Sequence, residues 1–375
     1  MQGKTLFSRI VKAVSVLGLL YAFLCSIELL SASFKLMGEG FANQLMQTTS
    51  NPIVGLFIGL LITAIVQSSS CTTSLVVAVV SSGAISIQNA VPMIMGANIG
   101  TTITNMLVSF GSMGRRDEFR RAMGAATVHD MFNILCVSIF LPLELLTHFL
   151  QTSAVFLADL FANVGGLKFA SPLNLITRPV VDFCSGMVAE VAGSWGAAAL
   201  GVVALVVLFF ALMGMVKSMR SASAGRFEVL FDKYVGRYPY LALLLGVVVT
   251  GIVQSSSAVT SLMVPIVGAG ILTVEQIYPV TLGANMGTTV TALLAALSTG
   301  DVKALAIAFV HSLFNMCGTV LFFVIPWNRR IPIGMARWLA ALCAKARYYA
   351  ILYVLAVFFI VPGMIILVQK LLTGR

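Results

Sequence analysis

The chain has 375 residues, of which 59% are hydrophobic and only 10% charged, and 23 Lys and Arg against 13 Asp and Glu leave a net charge of +10. A soluble domain needs roughly 25% charged residues to solvate its surface, so a water-soluble globular fold is excluded. The apolar runs are continuous over about 20 residues rather than alternating, which excludes a β-barrel and predicts an all-α polytopic membrane protein.

In chain order, the first run, 10–31, follows Lys4, Arg9 and Lys12. It is too long for a signal-peptide core and reads as a membrane span. Segment 51–87 carries Gln67-Ser68-Ser69-Ser70 between two apolar arms. Arms of about 12–16 residues cannot cross a ~30 Å core, which predicts a re-entrant helical hairpin with the polar phrase at its tip. Segment 91–110 is interrupted by Gly96-Ala97-Asn98-Ile99-Gly100-Thr101-Thr102, predicting a broken transmembrane helix, tolerated at that depth where it lines a cavity. Helix 121–142 carries His129, Asp130, Phe132 and Asn133. Segment 143–195, with Gly165-Gly166 and Pro172, reads as a long external loop without an assigned role.

The pattern then recurs. A helix at 196–216 and a basic, Gly/Ser-containing linker at 217–240, read as a hinge, lead to a second hairpin at 241–273 around Gln254-Ser255-Ser256-Ser257. The helix at 277–298 holds Gly283-Ala284-Asn285-Met286-Gly287-Thr288-Thr289, and 303–325 holds His311, Phe314 and Asn315. Between 63–104 and 250–291, 21 of 42 positions are identical without a gap, at an offset of 187. The His-x-x-Phe-Asn phrase follows at an offset of 182. An amphipathic interfacial helix at 327–347 and a last span at 348–370 complete the chain. The expected units are a first repeat 1–142, an external segment 143–195, a second repeat 196–325 including its linker, and 326–375.

Each repeat has three full crossings, an odd number, so the second copy is expected upside down relative to the first. The charges agree: segments 1–12, 111–121, 217–240 and 327–347 hold 17 of the 23 Lys and Arg, which places them on the cytoplasmic side. The basic residues are thus topology signals and contacts for membrane lipids, with no basic stripe suited to nucleic acid. The six cysteines have no metal spacing and read as small apolar fillers; Cys184 alone falls in the external segment.

Hairpin tips meeting near the midplane have the geometry of alternating access. Neither hairpin nor the helices at 91–110 and 277–298 contain Lys or Arg. What they offer are hydroxyls and helix N-termini, which suit a tetrahedral oxyanion. Gln67, Gln254, Asn98, Asn285 and hydroxyl oxygens suit Na⁺. Asp130, an acid within an apolar helix, is read as an ion-coupling group, with pairing to His129 or an arginine of 115–121 as its alternative. His129 and His311 are read as cross-helix hydrogen-bonding groups. No nucleotide loop or catalytic constellation is present, so no enzyme is expected. The residues point to sodium-coupled oxyanion transport.

The paired Gln-Ser-Ser-Ser and Gly-x-Asn-x-Gly-Thr-x-x-Thr phrases, with Phe119-Arg120-Arg121 and Ala126-Thr127-Val128-His129-Asp130-x-Phe132-Asn133, resemble the type II sodium-dependent phosphate cotransporters over about residues 10–325. The resemblance implies a compact bacterial member in the cell (inner) membrane that imports inorganic phosphate with Na⁺ as coupling ion, has no other cofactor, and forms a homodimer. It implies a phosphate site of Ser68, Ser69, Ser70, Asn98, Thr101, Thr102, Ser255, Ser256, Ser257, Asn285, Thr288 and Thr289. It implies sodium ligands among Gln67, Ser70, Thr101, Thr104, Asp130, Asn133, Gln254, Thr288 and Thr291. Arg115 stands where the family carries Asp and Ala284 where several members carry Ser, departures that bear on a third sodium site. The competing readings are a Na⁺- or H⁺-coupled carrier of another oxyanion or a dicarboxylate, and a phosphate sensor or scaffold that binds without turnover.

Overall fold

The computed structural model describes residues 2–164, 172–191 and 193–373, and every regular element among them is helical. Among the described residues, seven helices are long and apolar enough to cross a membrane: Val14–Leu36, Ile87–Ser112, Arg116–Thr147, Trp195–Ser218, Val274–Thr299, Val302–Val324 and Tyr348–Leu372. These are the seven expected crossings, with ends shifted by several residues, and the chain is a multi-pass membrane protein.

Helix α1 (Gln2–Leu36) turns at Gly38, whose φ of +79° suits glycine, into the short α2 (Gly38–Thr49). A bend of 102° separates α2 from α3 (Pro52–Val66). Helix α3 starts at Asn51, whose side-chain oxygen accepts from Ile53 N at 2.9 Å, with Pro52 at the first helical position. Helix α4 (Ser69–Ser82) returns, and α3 and α4 form the expected first hairpin. The second hairpin is α11 (Pro239–Val253) and α12 (Ser256–Gly268). All four arms have 13–15 residues, too short to span.

The helix-break expectation is corrected. In the second copy, Gly283–Thr289 lies inside one uninterrupted helix, α13 (Val274–Thr299). In the first copy, α5 (Ile87–Gly100) and α6 (Ile103–Ser109) join through Thr101 and Thr102, which keep helical dihedrals. The glycines act in packing instead. A Cβ on Gly96 would lie 1.9 Å from the Leu56 carbonyl oxygen, and on Gly283 2.0 Å from that of Leu243. Gly100 and Gly287, four residues on, meet Leu60 and Val247 carbonyls at 2.5 and 2.6 Å. Each Gly-x-x-x-Gly stripe thus lets the long helix sit directly on the first arm of its hairpin. The threonines reinforce the helix: Thr101 and Thr288 hydroxyls donate back to the Ala97 and Ala284 carbonyls, both at 2.9 Å.

Helix α7 (Arg116–Thr147) follows the first long helix, and α14 (Val302–Thr319) the second. Each hairpin's return arm packs on the opposite copy: α4 against α13 and α14, α12 against α6 and α7. The spans Ile87–Ser112 and Val274–Thr299 are 83% and 72% buried, whereas Tyr348–Leu372 is 17% buried. The polar phrases therefore sit at the centre, and the last span forms the lipid-facing rim.

The expected external loop contains helices. Segment 143–195 contains α8 (Phe149–Asn163) and α9 (Pro172–Val191), packed on α14 and on α1, respectively. Glu144 caps α8, accepting from Leu150 N at 2.6 Å and Gln151 N at 3.2 Å, which allows a sharp turn at His148 (φ +52°). The Gly165-Gly166 pair lies outside the described residues. The linker at 217–240, read as a hinge, is helical through most of its length as part of α10 (Gly193–Tyr234). Helix α15 (Arg330–Lys345) is the expected amphipathic helix, burying Ala336, Leu339, Ala340 and Cys343 and exposing Arg337 and Trp338. The final span comprises α16 (Tyr348–Leu355), a wider turn at Ala356–Ile360, and α17 (Val361–Thr373). The six cysteines are unpaired.

Candidate functional site

The Gln-Ser-Ser-Ser phrase works as a stop and a start. Gln67 (φ +56°) and Gln254 (φ +60°) adopt the left-handed conformation and end α3 and α11. For a residue with a Cβ that conformation costs about 1–2 kcal/mol. The following serine is extended and caps the next helix: Ser68 Oγ accepts from Cys71 N, and Ser255 Oγ from Ala258 N, each at 3.2 Å. Both return arms thus begin at the tip with unpaired backbone N–H groups and the positive end of a helix dipole. Ser69, Ser70 and Ser256 are buried there, and Ser257 is half-buried.

The tips converge on opposite copies. Ser70 Oγ lies 3.3 Å from the Gln254 carbonyl oxygen and 3.4 Å from Thr291 Oγ1. Thr291 Oγ1 donates to Gln254 Oε1 at 2.6 Å. One hairpin tip, the other tip and a central helix thus contribute a cluster of neutral oxygens. Beside it runs a buried chain across the copies. His129 Nε2 donates to Asn285 Oδ1 at 2.8 Å, Asn285 Nδ2 to Asn133 Oδ1 at 2.8 Å, and Asn133 Nδ2 to the Asn98 carbonyl at 2.7 Å. Each amide in this chain accepts at one end and donates at the other, which fixes its orientation.

Asp130 is fully buried. Its carboxylate accepts from Thr102 Oγ1 at 2.8 Å and from the Tyr353 hydroxyl. Neither His129 nor an arginine of 115–121 bonds to it; Arg115 instead pairs with Glu118 at the surface. Two hydroxyls thus satisfy the Asp130 oxygens, one from the helix pair of its own copy and one from the last span.

The chain that builds this geometry has known relatives. A family described as Na⁺/Pi-cotransporter matches residues 22–170 and 207–344. The chain belongs to the Na⁺/Pi-cotransporter family. Sodium-dependent phosphate transport protein 2B of Pongo abelii and of Homo sapiens are each 34% identical over 96% of this chain and 66% of their own length. Sodium-dependent phosphate transport protein 2A of Rattus norvegicus is 33% identical over 96% of the chain and 68% of its length. This Na⁺/Pi-cotransporter chain thus spans about two thirds of the relatives it matches. No solved structure matches it.

Within this family member, the structure joins Ser70, Gln254 and Thr291, and joins Asn98, Asn133 and Asn285. It links Thr102 to Asp130. Thr101, Thr288 and Thr289 hydroxyls donate to carbonyls of their own helices. Gln67 is exposed, and Thr104 Oγ1 is buried without a partner. His129 bridges helices as expected, but His311 does not: both its ring nitrogens are buried and unpartnered. Sequence reasoning missed Tyr353 and Asn105. Asn105 Oδ1 accepts from Thr260 Oγ1 at 2.9 Å, tying α6 to the second hairpin. The signal for Tyr353 was a phenol one turn inside an apolar run, beyond Tyr348 and Tyr349 at its end, since a buried hydroxyl needs a partner.

Proposed function

We propose that this chain is a secondary active transporter that imports inorganic phosphate coupled to Na⁺ by alternating access. Two inverted repeats, 1–142 and 196–325, clasp one central site. The observation that carries the reading is the meeting of Ser70 with Gln254 and Thr291, where two hairpin tips of opposite copies form one polar cluster. The names of the relatives supply phosphate and sodium; the local chemistry agrees with both.

Phosphate is held by Ser68–Ser70, Ser255–Ser257, Asn98, Asn285, Thr101, Thr102, Thr288 and Thr289, with the free N–H groups at the starts of α4 and α12 as main-chain donors. Such donors surround a tetrahedral oxyanion without a fixed cation, so the balancing charge comes from sodium. Gln254, Thr291, Thr288, Ser70 and Thr101 supply neutral oxygens for one ion. Asp130 and Asn133, with Gln67 and Thr104, serve further coordination. Arg115, exposed and paired with Glu118, gives no ligand where the family has an acid, which favours fewer sodium ions per phosphate.

Membrane lipids are proposed partners at the cytoplasmic face. A cleft of about 500 Å³ beside α15 is lined by Arg120, Arg121 and Arg337 among apolar residues, a fit for anionic headgroups. A homodimer follows from the family resemblance, and the mass of the purified protein in detergent tests it.

The deciding experiment is uptake of labelled phosphate into proteoliposomes under an inward Na⁺ gradient, beside a matched K⁺ gradient. Accumulation above equilibrium with Na⁺ alone, lost in Gln254→Ala, is the expected result. Equal, flat traces would refute sodium-coupled import.

A further inference from the structure

The two copies carry the same polar residues, yet only one version of each cross-copy contact is made. Thr291 and Ser70 meet Gln254. Their counterparts at the offset of 187 are Thr104, Ser257 and Gln67. Among these, Gln67 is exposed, Thr104 Oγ1 is buried without a partner, and no hydrogen bond joins them. The second set repeats the asymmetry. His129, Asn285 and Asn133 form a continuous chain that ends on the Asn98 carbonyl.

The counterparts of that chain are His311, Asn98 and Asn315, with the Asn285 carbonyl as its end. All three side chains are buried. Asn98 Nδ2 turns back to Ile94 O at 2.8 Å and Asn315 Nδ2 to His311 O at 3.1 Å, each on its own helix. Both nitrogens of His311 and Oδ1 of Asn315 have no partner. Buried polar groups are normally hydrogen-bonded, and an amide bonded only within its own helix is free to exchange that bond for another. Helix α14 packs on α5, so His311 and Asn98 belong to touching elements.

We infer that His311, Asn98 and Asn315 form a second latch, which closes in the opposite state of the cycle when the His129–Asn285–Asn133 latch opens. Alternating access moves one inverted repeat against the other around a fixed site, and the pseudo-two-fold relation between the copies lets each take the other's contacts in the second state. A contact made once in this structure by one copy is then made by the other copy after the exchange. His129 and His311 are accordingly positioning residues of equal rank, each holding one state, and neither need touch phosphate. The inference rests on the alternating-access reading, but its test needs no transport.

The test is hydrogen exchange at the hairpin tips in His129→Ala and His311→Ala, two residues outside the proposed phosphate and sodium sites. Loss of one latch should shift the balance of states about fivefold, and the two variants should shift it in opposite directions. His311→Gln should restore part of the shift, because it keeps a donor. Shifts in the same direction would refute the latch pair. Opposite shifts without any sodium-driven phosphate uptake would leave the latches standing and remove the substrate assignment.

Discussion

Replacing Gly283 with Ala probes how the central helix holds the site. The added Cβ would lie 2.0 Å from the Leu243 carbonyl oxygen, 2.9 Å from Val247 N and 3.0 Å from the Gly246 Cα, all backbone atoms that no rotamer relieves. To reach ordinary contact, α13 must move away from α11 by about 1.4 Å. Overpacking of this kind costs about 1–3 kcal/mol, and a backbone clash belongs at the upper end. The same movement lengthens the 2.6 Å Thr291–Gln254 bond, which bridges these two helices, to well beyond hydrogen-bonding range. Gly283→Ala should therefore lower the melting temperature in detergent by several degrees and weaken sodium dependence of uptake together. The control is Gly251→Ala on α11, whose Cβ would meet only Val290 Cγ2 at 3.5 Å. It should be near neutral. A Gly283→Ala protein as stable and as active as the Gly251→Ala control would refute the close-crossing role of the glycine stripe.

Thr291→Val keeps the shape but removes the donor to Gln254 Oε1. The sodium concentration for half-maximal phosphate uptake should rise about tenfold, with little change in melting temperature. Gln254→Gly relieves a left-handed backbone that costs about 1 kcal/mol. It also removes the Gln254 side-chain bonds to Thr291 and to the Gly251 carbonyl. It should therefore lose sodium-driven uptake while melting higher than Gln254→Ala, which loses the same bonds but keeps the strain. A Gly variant no more stable than the Ala variant would contradict the strain assignment. Tyr353→Phe removes one of two hydroxyls on Asp130; charge moved per phosphate, read by electrophysiology on proteoliposomes, should change while folding is kept. Ser68→Ala removes a helix cap worth about 1 kcal/mol and should increase amide exchange through the first turn of α4. Burial pushes the Cys343 thiol up to about 11, so at pH 8 its thiolate is scarce. Maleimide should modify half-buried Cys184 well before Cys343.

Much of this protein was set by local physics that the sequence carries openly. Continuous apolar runs determine which segments cross a membrane, because a helix must satisfy its own backbone in hydrocarbon. Short arms around Gln-Ser-Ser-Ser determine two hairpins, because about 13–15 residues cannot span the core. The serine caps follow from the same phrase. A duplication is legible in sequence alone because it is an identity of letters.

The tertiary structure decided the rest. Glycine is ambiguous in sequence: Gly283 and Gly287 serve equally to break a helix or to let two helices touch, and only the presence of α11 against α13 selects the second. Helices α8 and α9 sit against α14 and α1, contacts between segments far apart in the chain, and the Glu144 cap fixes the start of α8 across a turn. Asp130 showed its expense in the sequence, but its partners, Thr102 and Tyr353, stand 28 and 223 residues away along the chain. The different bonding of His129 and His311 is not legible in their shared His-x-x-Phe-Asn phrase, although Asp130 against Ser312 beside them already marks the two copies as unequal. Identical residues differ there because one folded state cannot satisfy both copies of a repeat in the same way.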